Sequence, residues 1–418
     1  MAALPAVYPL RRQRVPSRRT QVTIRGDAFY INGRPTYAGR RYNGKRVEGL
    51  LMNVRVVQGI FDDLNPETAT RWVYPDTGRW DPERNTNEFV AAMPEWKRHG
   101  VLAFTINLQG GTPGGFGGRG RGRGTADGAA PAPADAPGRG SAAQPPGGAP
   151  ATAPPTPAGV GGRAGGRGPA GPMLENTAVD PDGNLRPAYM ARLERILNRA
   201  DELGMVAIVG YFYFGQDQRL KDEDAVKRGV LNATNWIVDR GYTNVMVEIN
   251  NECNLGYDHD ILKPPRLPEL FDLVRKQTRN GRHLMVTSSF GGTTSSMTGR
   301  ENPDTPATSS VSKNSDFLLI HGNGPNDPDL IRRCIAGTRA LAGDRKVPTL
   351  INEDPNVHFT EESNHLLASV GEYCSWGYYE QGQNNYQDGY QSPPVNWGIN
   401  TDNKKQFFEL VKQVTGVS

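Results

Sequence analysis

Short apolar runs alternate with segments of helical periodicity along most of the chain. Eight runs rich in β-branched and aromatic residues read as strands: 50–57, 101–108, 205–214, 244–250, 283–289, 317–321, 348–352 and 373–379. The clearest helix precedes the third run, where apolar residues recur at spacings of three and four from Tyr189 to Leu203 and Gly204 follows. Strands that alternate with helices predict a parallel sheet in an α/β protein.

Eight strand–helix repeats favour a single closed (β/α)8 TIM barrel. The rival is a doubly wound open sheet, but no GxGxxG phosphate-binding turn follows the first strand. Residues 22–40 predict an N-terminal β-hairpin, turned at Asn32-Gly33, that closes the bottom of the barrel. Further helices are expected near 87–99, 223–240, 267–280, 328–342, 361–371 and 403–415. Pro94 should kink or shorten the first of these, and residues 290–315 show no clear helix.

Glycine and proline are concentrated in one segment that follows the second strand. Residues 110–172 hold 21 of the 50 Gly and 12 of the 33 Pro, together with 14 Ala and six Arg. Such a composition cannot bury a core, so it predicts a disordered insert. The predicted organisation is an Arg-rich flexible N-terminus over 1–21, then one barrel over 22–418 that the insert interrupts.

The charge distribution changes what the basic pI of about 8.9 implies. The formal net charge is +4, but the N-terminus carries five Arg and no acid, and the insert adds a further net +4. The remaining chain is therefore near −5, and no nucleic-acid partner is expected of the barrel. The alternative, nucleic-acid binding through the insert and N-terminus, stays open at this stage.

Several classes of protein are disfavoured by what the sequence lacks. Cys253, Cys334 and Cys374 show no CxxC spacing, and the six histidines show no HExxH or HxH pattern, so neither a metal nor a cofactor is predicted. No apolar run is long enough to span a membrane. The first residues lack the order of a signal peptide, so the protein is intracellular or a leader has been removed. The compartment and the oligomeric state stay open.

Two glutamates end predicted strands of the barrel. Glu252 follows the fourth strand in the sequence Glu-Ile-Asn-Asn-Glu, and Glu353 ends the seventh strand. The carboxyl ends of barrel strands meet at one mouth, so these side chains should face one pocket. A pair of carboxyl groups is what glycosidic bond cleavage needs, with one as acid and the other as nucleophile or base.

These motifs resemble those of clan A glycoside hydrolases, the retaining barrel enzymes that include family 5 cellulases and mannanases. The resemblance implies that Glu252 is the acid/base and Glu353 the nucleophile. It also implies that Arg55, in Asn-Val-Arg on strand one, supports the nucleophile, and that Trp376 lies beneath a sugar. The chain departs from the family where Cys253 follows Glu252, where the sixth strand reads His321-Gly-Asn323-Gly and offers no tyrosine, and where Asp354-Pro355 follows Glu353.

Further residues are candidates for contact with a carbohydrate. Those predicted to bind substrate are Arg55, Asn107, Asn251, His321, Asn323, Trp376, Tyr378 and Trp397, of which the last three are expected to be stacking platforms. The prediction is therefore a retaining hydrolase of β-linked oligosaccharides, polysaccharides or glycosides. An inverting glycosidase, a transglycosylase and a non-catalytic carbohydrate-binding barrel remain alternatives.

Overall fold

Three short antiparallel strands begin the described part of the chain. The computed structural model describes residues 17–111, 174–291, 306–380 and 386–417. Strands β1 (Val22–Arg25), β2 (Ala28–Ile31) and β3 (Arg34–Pro35) form a meander, and β4 (Arg41–Tyr42) pairs with β5 (Lys45–Arg46). The predicted hairpin over 22–40 therefore has a second turn, at Gly26-Asp27. Asn32 and Gly33 have φ of 52° and 77°, which suits the tight turn between β2 and β3.

Parallel strands form the central sheet, as the alternating pattern predicts. They are β6 (Asn53–Arg55), β7 (Ala103–Asn107), β8 (Val206–Tyr213), β9 (Val245–Asn251), β10 (Met285–Thr287), β11 (Ser289–Phe290), β12 (Leu318–His321), β13 (Thr349–Asp354) and β14 (Ser375–Tyr378). Their order is β10-β9-β8-β7-β6-β14-β13-β12-β11.

The sheet closes through its fifth strand, which is divided only at Ser288. Its first half, β10, pairs with β9 at Val286 and Val247, and its second half, β11, pairs with β12 at Phe290 and Ile320. Counting β10 and β11 as one strand gives eight strands in a ring. The protein is thus a (β/α)8 TIM barrel.

The helices of the described chain fall mostly where the periodicity predicts them. They are α1 (Pro66–Ala69), α2 (Pro82–Arg98), α3 (Pro187–Leu203), α4 (Glu223–Asp239), α5 (Leu267–Lys276), α6 (Pro306–Asn314), α7 (Pro328–Leu341), α8 (His365–Gly371) and α9 (Asp402–Thr415). Gly204 ends α3 in the left-handed conformation, with φ of 72°.

Two helix predictions need correction. Helix α6 lies in 290–315, where no helix was expected. Its sequence shows no apolar period, and Val311 is the one fully buried apolar side chain in the part of the helix whose side chains are described. Helix α2 begins five residues before the predicted start, because Asp81 caps it by accepting from the amides of Glu83 and Arg84. Pro94 lies inside this helix and does not shorten it.

Two apolar layers hold the barrel. Inside it, Leu51, Ile208, Met246 and Leu350 belong to one buried cluster that also contains Phe29 of the meander. The meander therefore covers the amino end of the barrel, and the carboxyl end is left for polar side chains. A second cluster fills the space between strands and helices.

The low-complexity insert falls almost wholly outside the described residues. Of the predicted 110–172 segment, only Gly110 and Gly111 are described, and of the predicted N-terminus 1–21 only residues 17–21 are. Among the helices that are described, none has both the length and the apolar character needed to cross a bilayer. The three cysteines are buried and free.

Candidate active site

Glu252 lies just beyond β9 in a conformation that few non-glycine residues adopt. Its φ is 49°, and its amide donates to Oγ of Ser289 at 2.9 Å. The next amide, of Cys253, donates to the carbonyl of Ser289 at 2.8 Å. A Cβ on Gly291 would lie 3.1 Å from the Glu252 carboxyl group, so β11 and the residue after it form a close wall. A left-handed residue at a strand end is a strained feature typical of functional sites.

Glu353 projects from β13 into a set of hydrogen-bond donors. The guanidinium Nε of Arg55 lies 2.5 Å from its Oε2, and Nδ2 of Asn323 donates to its Oε1 at 2.6 Å. Arg55 ends β6 and Asn323 follows β12, so three strands converge on one carboxylate. Asn323, two residues after His321, is thus a sixth-strand side chain that reaches Glu353.

His321, at the end of β12, lies between the two carboxyl groups. Its Nδ1 is 3.0 Å from Oε1 of Glu252 and 3.5 Å from Oε2 of Glu353. One oxygen of each glutamate and one nitrogen of His321 lie within 4.8 Å of one another. The structure therefore brings the predicted pair and His321 together at the mouth of the barrel.

The charges around Glu353 set its ionisation. Burial raises the pKa of Glu353, but the positive charges of His321 and Arg55 and the Asn323 hydrogen bond outweigh burial and lower it below its usual value. Burial by itself would lower the pKa of His321, but the negative charges of Glu353 and Glu252 outweigh burial and raise this pKa above its usual value. The arrangement favours an ionised Glu353 beside an imidazolium.

Arg55 also links the pair to Asn251 and Glu248. Its NH2 donates to Oδ1 of Asn251 at 2.5 Å, and its NH1 lies 3.9 Å from Oε2 of Glu248. Burial raises the pKa of Glu248, which lies one layer deeper in the barrel than Asn251. Asn251, the residue before Glu252, is thereby held at the mouth with its Nδ2 unpartnered among the described residues.

Glu252, His321 and Glu353 form the one group in the described chain with the spacing of metal ligands. Arg55 already supplies a positive charge 2.5 Å from Glu353, and it would repel a cation placed there. We therefore interpret the group as an acid–base cluster.

Asp354, the residue after Glu353, is fully buried and accepts hydrogen bonds from three sides. Nδ1 of His365 lies 2.8 Å from its Oδ2, Nε1 of Trp376 donates to the same oxygen at 3.1 Å, and Nδ2 of Asn356 donates to Oδ1 at 2.8 Å. Nε2 of His365 accepts from the amide of Asp327, which places the ring proton on Nδ1.

Asp354 also locks β13 against the segment that carries His321 and Asn323. The intervening Gly322 donates its amide to the carbonyl of Glu353 at 2.6 Å. A Cβ on Gly322 would lie 2.3 Å from Oδ2 of Asp354. The missing side chain of Gly322 is thus what lets the Asp354 carboxylate pack beside the end of β13 that carries Glu353.

The three predicted stacking platforms are buried in the structure. Trp376 is 0% exposed and packs against Phe359 and Phe407, and Tyr378 stacks on Phe407. Trp397 is 1% exposed, and its Nε1 donates to the carbonyl of Asn85. None of these three rings has a face open to a sugar, because each fills the layer between the sheet and the helices.

Two tyrosines that the sequence argument did not select flank the carboxylates instead. Tyr213 ends β8 and Tyr379 follows β14, and both are half-buried. Burial raises the pKa of each, and the negative charges of Glu353 and Glu252 raise it further. The sequence signal that could have identified both tyrosines is their position at the ends of the apolar runs 205–214 and 373–379.

Asn107 ends β7 and is buried beside Gly210 of β8. A Cβ on Gly210 would lie 2.3 Å from its Oδ1, and neither atom of the amide group has a partner among the described residues. No hydrogen bond within the described chain joins Asn107 to the two glutamates. Its contact with a substrate stays a prediction.

Solved structures of glycoside hydrolase family 5 share this architecture. The family 5 mannosidase of Rhizomucor miehei matches with a TM-score of 0.50, at 11% identity, over 95% of this chain and 98% of its own. An endocellulase of Pyrococcus horikoshii, solved with cellotetraose, has a TM-score of 0.47 at 11% identity, over 95% and 99% of the two chains. A family 5 glycoside hydrolase of Bacteroides vulgatus has a TM-score of 0.47 at 12% identity, over 93% and 70%.

The likeness to these solved structures shows the fold of the chain alone. No protein-family model and no curated protein matches the chain. At 11% identity the mannosidase likeness establishes a common (β/α)8 architecture, and the two lower scores add no argument to it. The structural neighbours nevertheless belong to the family that the motifs around Glu252 and Glu353 resemble.

Proposed function

We propose that the protein is a retaining glycoside hydrolase that acts on β-linked sugars. The observation that carries the proposal is the placement of Glu252 and Glu353 at one mouth, with one carboxyl oxygen of each no more than 4.8 Å from one of the other. Retaining glycosidases hold their carboxyl groups about 5–5.5 Å apart, whereas inverting enzymes leave about 6.5–9.5 Å for a water molecule. The spacing here favours retention.

The two glutamates have different surroundings, which suits different roles. Glu353 faces Arg55, His321 and the Asn323 amide, so it is held ionised and oriented as a nucleophile. Glu252 has His321 as its side-chain partner and lies in the left-handed turn after β9. This division assigns attack to Glu353 and proton transfer to Glu252.

In the proposed first step, an oxygen of Glu353 attacks the anomeric carbon and the bond to the leaving oxygen breaks. Glu252 gives its proton to that oxygen, so the leaving group departs as an alcohol. In the second step, Glu252 removes a proton from water as the water attacks the same carbon. Glu353 is released as a carboxylate, and two inversions leave the configuration unchanged.

The residues around the pair would hold the sugar in the reacting position. Asn251 is fixed by Arg55 and keeps a free Nδ2, which can donate to a sugar hydroxyl. Tyr379 and Tyr213 are half-buried beside the carboxylates and offer both ring surface and hydroxyl groups. We assign the contact with the sugar ring to these tyrosines and not to Trp376.

The experiment is hydrolysis of a panel of 2,4-dinitrophenyl β-glycosides, with the anomer formed first followed by proton NMR. Retention with β-glucosides or β-mannosides supports the proposal. Inversion would favour the single-displacement alternative, and transfer to an added sugar in preference to water would favour a transglycosylase. Binding of oligosaccharides with no turnover would leave only the carbohydrate-binding barrel.

A further inference from the structure

A groove of about 1070 Å³ opens at the end of the barrel opposite the two glutamates. Its walls include β1 and the segment from Arg279 to Met285. Thr243, Leu284 and Asp316 also line it, and each of them lies just before a barrel strand. The groove therefore belongs to the amino end of the strands and shares no lining residue with the catalytic cluster.

The groove gathers positive charge that no carboxylate in the described chain neutralises. Five arginines line it: Arg18, Arg19, Arg279, Arg282 and Arg345. None of these five arginines forms an ion pair within the described residues. In contrast, Arg84, Arg195 and Arg266 each pair with a carboxylate. The one acid in the lining, Asp316, is engaged by Arg275 at 2.9 Å.

The hydrogen bonds of these arginines leave their charge in place. Arg18 donates to the carbonyl of Arg240, Arg279 to that of Asp239, and Arg345 to that of Ser315. Carbonyl acceptors fix the guanidinium groups without cancelling their charge. A concave surface lined by one sign of charge concentrates ligands of the opposite sign.

We propose that this groove binds a segment of acidic glycan, an oligosaccharide that carries carboxylate or sulfate groups. The arginines would pair with the anionic groups. Uncharged polar side chains between them, including Gln21, Thr23 and Asn280, would bind sugar hydroxyls. This inference goes beyond the proposed hydrolase activity and does not depend on it.

Two other polyanions fit the groove less well. Single-stranded nucleic acid binds through bases stacked on open aromatic rings, but the ring of Tyr242 in this groove is covered by the Arg18 guanidinium at 3.7 Å. A membrane surface is broad and flat, so it would contact the exposed Arg19, Arg282 and Arg345 and leave the half-buried Arg18 and Arg279 without an anionic partner. An acidic oligosaccharide meets both the charge and the shape.

The test is isothermal titration calorimetry of the full chain with oligogalacturonate and with a sulfated heparin oligosaccharide. Fully methyl-esterified oligogalacturonate is the uncharged control ligand, and oligo(dT) is the nucleic-acid arm. The variant is Arg19→Gln/Arg282→Gln, because both side chains are exposed and neither forms a hydrogen bond in the described structure. Arg71→Gln/Arg79→Gln, on the loop after β6, removes the same charge elsewhere and is the matched control.

We expect the charged oligosaccharides to bind and the esterified one not to bind. The groove variant should weaken binding about tenfold, equivalent to about 1.4 kcal/mol, and the control variant should leave it unchanged. The proposal is overturned if the esterified ligand binds equally well, if both double variants lose affinity equally, or if oligo(dT) binds more tightly than the acidic glycans. If oligogalacturonate binds more tightly, the ligand is a carboxylated glycan. If the heparin oligosaccharide binds more tightly, the ligand is a sulfated glycan.

Discussion

The guanidinium Nε of Arg55 lies 2.5 Å from Oε2 of Glu353, and both side chains are buried at the mouth of the barrel. This contact joins the first and seventh strands of the ring. An arginine so placed favours the ionised form of the carboxyl group and fixes its orientation at the mouth. The charge of His321, this contact with Arg55 and the Asn323 hydrogen bond together lower the pKa of the Glu353 carboxyl group below its usual value, against the effect of burial.

Replacing Glu353 with Gln removes the attacking carboxylate while keeping the shape of the side chain. We expect turnover of dinitrophenyl glycosides to fall by about 10⁴-fold or more, since no second group can take its place. Steady-state kinetics and far-UV circular dichroism measure this. Glu361→Gln, which alters an exposed carboxylate paired with His358, is the control and should keep full activity.

Replacing Glu252 with Ala should separate the two chemical steps. Dinitrophenolate leaves without a proton, so the first step should persist with this leaving group, while slow deacylation gives a burst followed by a low steady rate. Azide should then restore turnover and yield a β-glycosyl azide. If azide accelerates nothing, or if alkyl and dinitrophenyl substrates lose activity equally, Glu252 is not the acid/base.

The acid limb of the pH–rate profile should lie below the ordinary glutamate pKa of 4.5, because Glu353 remains ionised there. His321→Gln removes one of the positive charges that lower this pKa, and burial then dominates. The acid limb of kcat/KM should therefore move to higher pH in the variant. An unchanged limb would show that His321 does not act on Glu353.

The lowered pKa of Glu353 and the raised pKa of His321 also predict how the stability of the fold depends on pH. Glu353 has a lowered pKa in the folded state, so its contribution is present above 4.5 and is lost as pH falls through the folded value. His321 has a raised pKa, so its contribution is full below 6.5 and is lost as pH rises through the folded value. Chemical unfolding of wild type and His321→Gln across this range measures both effects, and equal pH dependence in the two proteins would contradict the second.

Gly322→Ala tests the contact between Asp354 and the segment of His321 and Asn323. The new methyl group would lie 2.3 Å from Oδ2 of Asp354, so one of the two strand ends must move. We expect a loss of about 1–3 kcal/mol in stability from overpacking, together with a fall in kcat. Gly371→Ala, where a Cβ meets no atom within 4 Å, is the control and should keep stability and activity.

Tyr379 and Trp376 should respond differently to truncation. Tyr379→Ala removes a ring beside the carboxylates and should raise KM with little change in melting temperature. Trp376→Phe breaks a buried hydrogen bond to Asp354 and should lower stability by about 1–3 kcal/mol, with the larger kinetic effect on kcat. A raised KM in Trp376→Phe and none in Tyr379→Ala would restore the sequence-based assignment.

The sequence predicts the barrel and the strand ends because both depend on a repeated pattern. Every strand except the divided fifth is one apolar run, and the residue after a run is positioned by the ring itself. Glu252 and Glu353 could therefore be placed at the mouth from strand order, whereas Arg55 was expected there from the family resemblance. Their detailed partners, such as Asn323 on Glu353, depend on side-chain geometry that spacing does not contain.

The aromatic assignment failed for a physical reason. The run from Tyr373 to Tyr379 carries Cys374, Trp376 and Tyr378 on one face and Ser375 and Gly377, with a tyrosine at each end, on the other, and this pattern does not show which face points inward. The pairing register of β13 and β14 also shifts between Ile351 and Asp354, which changes the phase near the mouth. Trp376, which pairs with Ile351 before this shift, packs with Ile351 in the layer towards the helices, whereas Tyr379 lies beyond the shift, near the carboxylates.

The measurement that tests the central claim most directly is covalent labelling with 2-deoxy-2-fluoro β-glycosides that carry a dinitrophenyl leaving group. The fluorine slows both steps, and the activated leaving group lets the glycosyl-enzyme accumulate. Peptide mass spectrometry of the inactivated protein should find one sugar on Glu353. A label on another residue, or turnover with no covalent adduct, would contradict the assignment of Glu353 as the nucleophile of a retaining enzyme.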